Sequence, residues 1–167
     1  MTTLPDAARA LETRIRKDIP LAHAMDLRIR AWDGDTLGLA APLAPNINDK
    51  GCAFGGSLSS LMTISGWALT VLALEQRQLD CDVFVARSEV AYRAPVWRDF
   101  RTHAALDDGA DWDRFFATLA RRGKARIAVR CHVREAGGDT LCATLAADFV
   151  AKQRDPARVS APPDAAQ

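Results

Sequence analysis

The sequence has 167 residues, with 22 Lys and Arg against 21 Asp and Glu, so its formal net charge is +1 at pH 7. A chain of this length is most simply one domain that buries about two-thirds of its unfolded surface. Acids and bases are interspersed and form no basic block, which argues against nucleic acid or a membrane as the main partner. The first residues carry charges throughout, unlike a signal peptide with an apolar centre, so we expect a cytoplasmic protein.

Residues that often bind metals or nucleotides show no diagnostic spacing. The 4 cysteines and 3 histidines form no C-x-x-C pair, H-E-x-x-H motif or Cys/His cluster. We expect the thiols to be reduced, buried and structural. The glycines match neither a P-loop nor a dinucleotide-binding fingerprint. The sequence therefore predicts no metal and no redox cofactor.

The N-terminal segment predicts a helix followed by a hairpin. Pro5 to Lys17 places proline in the first turn and apolar residues on one face, and Pro20 is expected to end this helix. Met25 to Ala31 alternates apolar and polar residues, as a half-buried strand does. A turn at residues 32–35 and a return strand from Thr36 to Pro42 complete the hairpin.

The segment from Ser57 to Leu74 carries no charge. A helix that is apolar on most of its circumference is buried in a protein core or in a membrane. The several Ser and Thr residues within this run favour the protein core. We therefore expect a central buried helix from about Gly56 to Glu75, in a protein that needs no membrane.

The second half of the chain is rich in strands. Strands are predicted at residues 82–93, 97–106, 125–134 and 140–152, with a helix at 111–121. This order predicts an α+β fold in which a curved antiparallel sheet wraps around the long central helix. Such a sheet has exposed edges, so pairing of two copies is expected. Residues 153–167 are predicted to be a flexible tail.

Three motifs in this order resemble those of hotdog-fold thioesterases. They are "N-x-x-G" (Asn48 to Gly51) shortly before "FGGSL" (Phe54 to Leu58), then "YRAPVWRDF", then "GDTLCATLAADFV". The sequence looks closest to the thioesterase family named after the YiiD C-terminal domain. The likeness covers about residues 20–152, with residues 1–19 as a preceding helix.

The resemblance implies a homodimer or tetramer that hydrolyses an acyl thioester of coenzyme A or acyl carrier protein. Coenzyme A would then be part of the substrate rather than a cofactor. The sequence also departs from one type of hotdog thioesterase, because Phe54 occupies its histidine position and Thr63 its acidic position. A non-catalytic acyl-thioester-binding protein on the same fold is therefore the alternative. A hydratase is disfavoured, since no Asp and His occur together near the glycines.

The start of the central helix holds the candidate substrate-binding residues. Backbone N–H groups at a helix start suit a developing oxyanion, and Gly55 and Gly56 let a ligand approach the backbone closely. Phe54 and Ser57 complete this predicted site. The alternative is a tight turn packed under the sheet. Ser57 as a nucleophile is disfavoured, because G-x-S-x-G is absent.

Three residues are candidates for the catalytic chemistry. Asn48 can orient a water but cannot take its proton at neutral pH. Asp49 is the only carboxylate of the stretch and is therefore the candidate general base. Thr63 can bond the water or the acyl carbonyl. Each has a structural alternative: a loop-capping Asn, a solvated Asp and a Thr bonded to its own helix.

Basic residues near strand ends are candidates for the coenzyme phosphates. The cluster of Arg121, Arg122 and Lys124 is the leading one. The others are Arg87, Arg93, Arg98 and Lys152.

Overall fold

The computed structural model describes residues 4–154, so the predicted tail from residue 155 onward lies outside the described residues. The helices are α1 (Asp6–Asp18), α2 (Pro20–Ala24), α3 (Gly55–Gln76) and α4 (Trp112–Arg122), with a short 3-10 turn at Ala44–Asn46. The strands are β1 (Arg28–Trp32), β2 (Thr36–Ala41), β3 (Cys81–Tyr92), β4 (Phe100–Leu106), β5 (Lys124–Glu135) and β6 (Leu141–Gln153).

All six strands form one antiparallel sheet in the order β1-β2-β4-β5-β6-β3. The sheet curves around α3, which contacts β2, β3, β4, β5 and β6. This is the hotdog fold, and the predicted fold class is confirmed. Leu11 and Ile15 of α1 belong to the same hydrophobic core. The division of the chain at residues 19 and 152 stays a prediction.

Helix α3 forms the centre of the core. Leu61, Met62, Leu69 and Leu72 on it are fully buried. Its length and composition would also suit a membrane span, but 67% of its most apolar stretch is buried inside the fold. The helix is apolar around its circumference because sheet and α1 cover most of it.

Around the first hairpin, α1 ends before Pro20 as predicted, but the predicted start of the first strand was wrong. Pro20 not only follows α1 but also begins α2, where its missing N–H and fixed φ suit the first helical position. Strand β1 starts at Arg28 rather than at Met25, because Met25 caps α2 and Asp26 has a left-handed φ of 51°. Among the cysteines, Cys81 is only partly buried.

The two edges of the sheet differ in length and exposure. β1 has 5 residues and contacts α1. β3 has 12 residues, and Phe84, Val85 and Tyr92 on it are 59%, 46% and 57% exposed. A long edge strand with exposed apolar side chains is a template for pairing with another chain.

Candidate active site

Helix α3 begins without a side-chain cap. Phe54 stands at the cap position, and the first turn contains no acidic residue. The first hydrogen bond of this turn runs from the Leu58 N–H to the Phe54 carbonyl, over 3.1 Å. Within residues 4–154, the N–H groups of Gly55, Gly56 and Ser57 have no acceptor. Unpaired N–H groups and the positive end of the helix dipole make this a site that favours an anionic or polarised oxygen.

Two aromatic rings cover the paired glycines. A Cβ on Gly55 would lie 3.3 Å from the Tyr92 ring, and a Cβ on Gly56 would lie 2.2 Å from the Phe54 ring. Neither glycine has a positive φ. Close approach of the rings, and not an unusual backbone conformation, is therefore the reason for glycine here. The tight packing that was the structural alternative is present here, and the approach of a ligand to these glycines stays a prediction.

Asn48 stabilises the loop that leads into α3. Its side-chain oxygen accepts the Lys50 N–H over 2.8 Å, and its amide nitrogen donates to the Cys52 Sγ over 3.2 Å. Its main-chain N–H donates to the Cys52 carbonyl over 2.8 Å. Asn48 thus makes the loop-capping contacts that were its structural alternative. Its second amide hydrogen and a second oxygen lone pair leave capacity for a water.

Asp49 lies at the tip of the same loop. Its side chain is 78% exposed, and both carboxylate oxygens accept hydrogen bonds from the Lys50 ammonium at 2.9 Å. Among the described residues, no other side chain donates to this carboxylate. The structure gives Asp49 no contact with Thr63 or with the glycine pair, and its role as a base stays a prediction.

Thr63 is one of three hydroxyl residues on α3, with Ser57 and Ser60, whose side chains make no hydrogen bond to a described residue. Ser59, Ser65 and Thr70 each bond a carbonyl of their own helix, at 3.0, 2.7 and 3.0 Å. Thr63 is half-buried and makes no such bond to any described residue. Its hydroxyl therefore keeps its donor and its lone pairs for a ligand or a water.

Thr63 lies on a half-buried stripe of α3 that continues through Trp67 and Val71, four residues apart on one helix face. Facing it is the inner side of β3. The β3 residues on that side are paired across β6 with core residues, namely Val85 with Phe149, Ser88 with Ala147, Val90 with Leu145 and Tyr92 with Ala143. Directly paired residues lie on one face of a sheet. The stripe and this face form a groove.

Two hydrogen bonds cross this groove between α3 and β3. At the start of α3 the Tyr92 hydroxyl donates to the Gly55 carbonyl, over 3.0 Å. Further along, the Trp67 indole N–H donates to the Val83 carbonyl, also over 3.0 Å. Beyond Trp67 the groove widens into a cavity of about 520 Å³. Its apolar lining includes Trp67 and Val71 of the α3 stripe and Val83 and Phe84 of β3.

The groove between Gly55 and Trp67 has no carboxylate on either wall of the described chain. Helix α3 is uncharged from Ser57 to Leu74, and the β3 residues that face it are apolar or carry a hydroxyl. Among residues 4–154, the carboxylates on this side lie at the far end, where Asp18, Glu75, Asp80 and Asp82 line the cavity. Thr63 stands where one type of hotdog thioesterase has an acidic residue. In the described chain, no neighbouring carboxylate between Gly55 and Trp67 replaces that acid.

The leading basic cluster lies far from the glycine pair of its own chain. In the sheet, Lys124 of this cluster lies opposite Lys152 on the neighbouring strand β6. Lys152 in turn lies opposite Asp82 at the start of β3. Tyr92 is at the other end of that strand, about 33 Å away at 3.3 Å per residue. Arg93 directly follows Tyr92 and is the nearer candidate for contact with a substrate at the glycines.

Comparison with known proteins identifies the family of this fold. The family model described as "Putative thioesterase (yiiD_Cterm)" matches residues 8–153, nearly the whole of the described chain. The chain belongs to this family. The match includes most of α1, which the sequence motifs alone had left outside the likeness.

Solved structures of similar proteins agree with the YiiD C-terminal-domain assignment. A protein of unknown function from Chlorobaculum tepidum TLS is 28% identical with a TM-score of 0.82, and the match covers 88% of this chain and 94% of that one. A "putative thioesterase" from Shewanella oneidensis is 26% identical with a TM-score of 0.78, covering 88% and 98%. A "Probable Thioesterase" from Pseudomonas aeruginosa, 22% identical with a TM-score of 0.73, shares the fold over 92% and 99%. Family and neighbours support thioester hydrolysis as the general class of activity.

Two residues of this candidate site were missed by the sequence analysis. Tyr92 contacts the glycine pair, although it entered the analysis only as part of the "YRAPVWRDF" motif. Asn46 is 1% exposed, and its side-chain amide nitrogen donates to the carbonyls of Met25 and Pro42. Its main-chain carbonyl accepts the Phe54 N–H over 2.7 Å. Asn46 thereby fixes the residue that precedes the glycine pair.

Proposed function

We propose that this protein hydrolyses an acyl thioester carried by coenzyme A or by acyl carrier protein. The observation that carries the proposal is the uncapped start of α3, where the N–H groups of Gly55, Gly56 and Ser57 have no acceptor among the described residues. A thioester oxygen bound there gains negative charge as water attacks, and N–H donors aimed at that oxygen stabilise the transition state more than the substrate.

The attacking water would lie on the groove side of the thioester. Thr63 lies on the half-buried stripe of α3 and its hydroxyl makes no hydrogen bond to its own helix, so it would hold the water or the acyl carbonyl. Asn48 would orient the water from the loop, and Asp49, the carboxylate of that loop, would accept its proton. Because Asp49 is paired only with the exposed Lys50, a small movement of the loop would free it.

We further propose that the protein acts as a homodimer, or as a tetramer built from such dimers. The support is the 12-residue edge strand β3 with its exposed Phe84 and Val85, whereas the opposite edge is short and contacts α1. Pairing of β3 with β3 of a second copy would cover the open side of the groove. Antiparallel pairing would also bring the partner's basic cluster at residues 121–124 toward the glycine pair.

A second candidate function is an acyl-thioester-binding protein without turnover. The observation that favours it is the groove between Gly55 and Trp67, which carries no carboxylate in the described chain. The same N–H groups would then bind the thioester oxygen without activating a water. We place either function in the cytoplasm, in keeping with 4 unpaired cysteines in a reducing compartment.

A panel of acyl thioesters with detection of the released thiol tests the proposal. The panel pairs acyl-CoA and acyl carrier protein substrates of matched chain length, and binding is measured on the same samples by calorimetry. Saturable thiol release supports the hydrolase. Saturable binding without thiol release supports the binding protein, and neither binding nor release refutes both.

A further inference from the structure

We propose that Tyr92 is a positioning residue that aims the Gly56 N–H at the substrate oxygen. The inference rests on the proposed function, because it assigns a donor to the thioester oxygen. It concerns one hydrogen bond, from the Tyr92 hydroxyl to the Gly55 carbonyl, over 3.0 Å.

The Gly55 carbonyl and the Gly56 N–H belong to the same peptide group. A trans peptide is planar, and its C=O and N–H point in opposite directions. A donor that holds the carbonyl therefore also holds the direction of the N–H. A hydrogen bond to the carbonyl further polarises the peptide, which makes its N–H a stronger donor.

Tyr92 is held by its ring and by its backbone. The ring lies against Gly55, where a Cβ would approach the ring carbons to 3.3 and 3.4 Å. The backbone of Tyr92 is paired with Ala143 across β6, and the next residue, Arg93, donates its N–H to the Cys142 carbonyl over 2.8 Å. The phenol thus connects a strand of the sheet to the first peptide of the helix, and it can fix that peptide before substrate binds.

The neighbouring peptide of the same helix provides a matched control. The Ser59 hydroxyl donates to the Gly56 carbonyl, also over 3.0 Å. That carbonyl shares its peptide with the Ser57 N–H. Removal of the Ser59 hydroxyl therefore perturbs the Ser57 donor in the way that removal of the Tyr92 hydroxyl perturbs the Gly56 donor.

The experiment compares Tyr92→Phe and Ser59→Ala with the parent, using the acyl-CoA substrate on which the parent is most active. Tyr92→Phe keeps the ring and loses only the hydroxyl. We expect its kcat to fall about tenfold, less than the hundredfold or more that follows loss of a direct oxyanion donor, with KM within about twofold. Ser59→Ala is expected to lower kcat by less than Tyr92→Phe does, because the inference assigns the thioester oxygen chiefly to the Gly56 N–H. Melting temperatures of both variants show that the fold is retained.

A second readout does not depend on turnover. Backbone NMR reports the carbonyl carbon of Gly55 and the amide nitrogen of Gly56, and both resonances should move in Tyr92→Phe and stay in place in Ser59→Ala. Resonances that do not move in Tyr92→Phe overturn the inference. A parental kcat in that variant, or a larger loss of kcat in Ser59→Ala, also overturns it. A parent that releases no thiol refutes the proposed hydrolase, and the NMR shifts then decide the role of Tyr92 by themselves.

Discussion

The ring of Phe149 on β6 fills the space next to Gly66 on α3. A Cβ on Gly66 would lie 2.6 and 2.8 Å from two ring carbons of Phe149, and 3.3 Å from a methyl carbon of Val129. Phe149 is fully buried, and it lies opposite Val85 on one side and Ile127 on the other. The missing side chain of Gly66 is therefore what lets the central helix approach the sheet closely.

Gly66→Ala should lower the free energy of unfolding by about 1–3 kcal/mol, the usual cost of overpacking a core. This is a net loss, because alanine alone would favour the helix by about 1 kcal/mol. Urea unfolding followed by circular dichroism measures the change. Gly138→Ala is the matched control, since its Cβ would have no neighbour closer than 3.8 Å. Equal stability of the two variants would contradict the packing argument.

The pH dependence of stability should report His132 on the outer face of the sheet. Burial lowers the pKa of His132 below its usual 6.5, helped by His103 stacked on it at 5.2 Å and by Arg134 and Arg101. Above pH 6.5 both folded and unfolded chains hold it neutral, and it contributes nothing. As the pH falls through 6.5, the unfolded chain takes up the proton first, so stability decreases until the lower, folded pKa is passed.

The test compares the parent with His132→Gln from pH 8 to pH 5 by urea unfolding. We expect the variant to lose less stability than the parent below pH 6.5, while the two follow the same course above it. An identical pH dependence of the parent and His132→Gln would refute this role of the histidine.

Val85→Asp should disrupt the expected dimer. Val85 is 46% exposed on the edge strand β3, where a charge opposes pairing with a second copy. Light scattering should give two or four times the chain mass for the parent. The variant should give the mass of a single chain. Leu21→Asp places the same charge on α2, at a side chain that is 54% exposed, and should keep the parental mass. A monomeric parent would contradict the pairing itself.

The loop and helix residues separate a hydrolase from a binding protein. Asp49→Asn should lower kcat by roughly a hundredfold or more and keep affinity, if Asp49 is the base. Asn48→Ala should lower kcat more than it raises KM, and Thr63→Ala should cause a smaller loss than Asn48→Ala. Asp35→Asn, in the exposed turn of the first hairpin, controls for the loss of one surface charge. Turnover at the parental rate in Asp49→Asn would leave Asp49 as a loop carboxylate only.

The sequence predicted the parts of the fold that depend on local patterns. Helix α3 was predictable because eighteen positions from Ser57 onward carry no charge, and the β3 alternation was predictable from "DVFVARSEVAYR". Start positions were less predictable where a proline can either end or begin a helix, as Pro20 does. The curved sheet around the central helix was expected from the order of these elements, and the resemblance to hotdog thioesterases rested on the same order.

Contacts between distant residues account for most of what the sequence could not predict. The Tyr92–Gly55 hydrogen bond joins residues 37 positions apart, and no periodicity points to it. The free hydroxyl of Thr63 was also unpredictable, because Ser65 and Thr70 on the same helix bond to their own backbone. Whether a hydroxyl on a helix bonds to its own backbone depends on the neighbouring elements, which the sequence does not show.

The central structural claim is that the thioester oxygen binds the uncapped N–H groups at the start of α3. Isotope-edited infrared spectroscopy of an acyl-CoA with a ¹³C-labelled thioester carbonyl measures the polarisation of this bond directly. The acyl-CoA is bound to the Asp49→Asn variant, in which turnover is expected to be slow. We predict that the carbonyl stretch shifts to lower frequency on binding, because the N–H donors polarise the bond, and that Tyr92→Phe introduced into the same variant reduces the shift. A bound thioester whose carbonyl stretch stays at its value in water or moves to higher frequency would contradict the account.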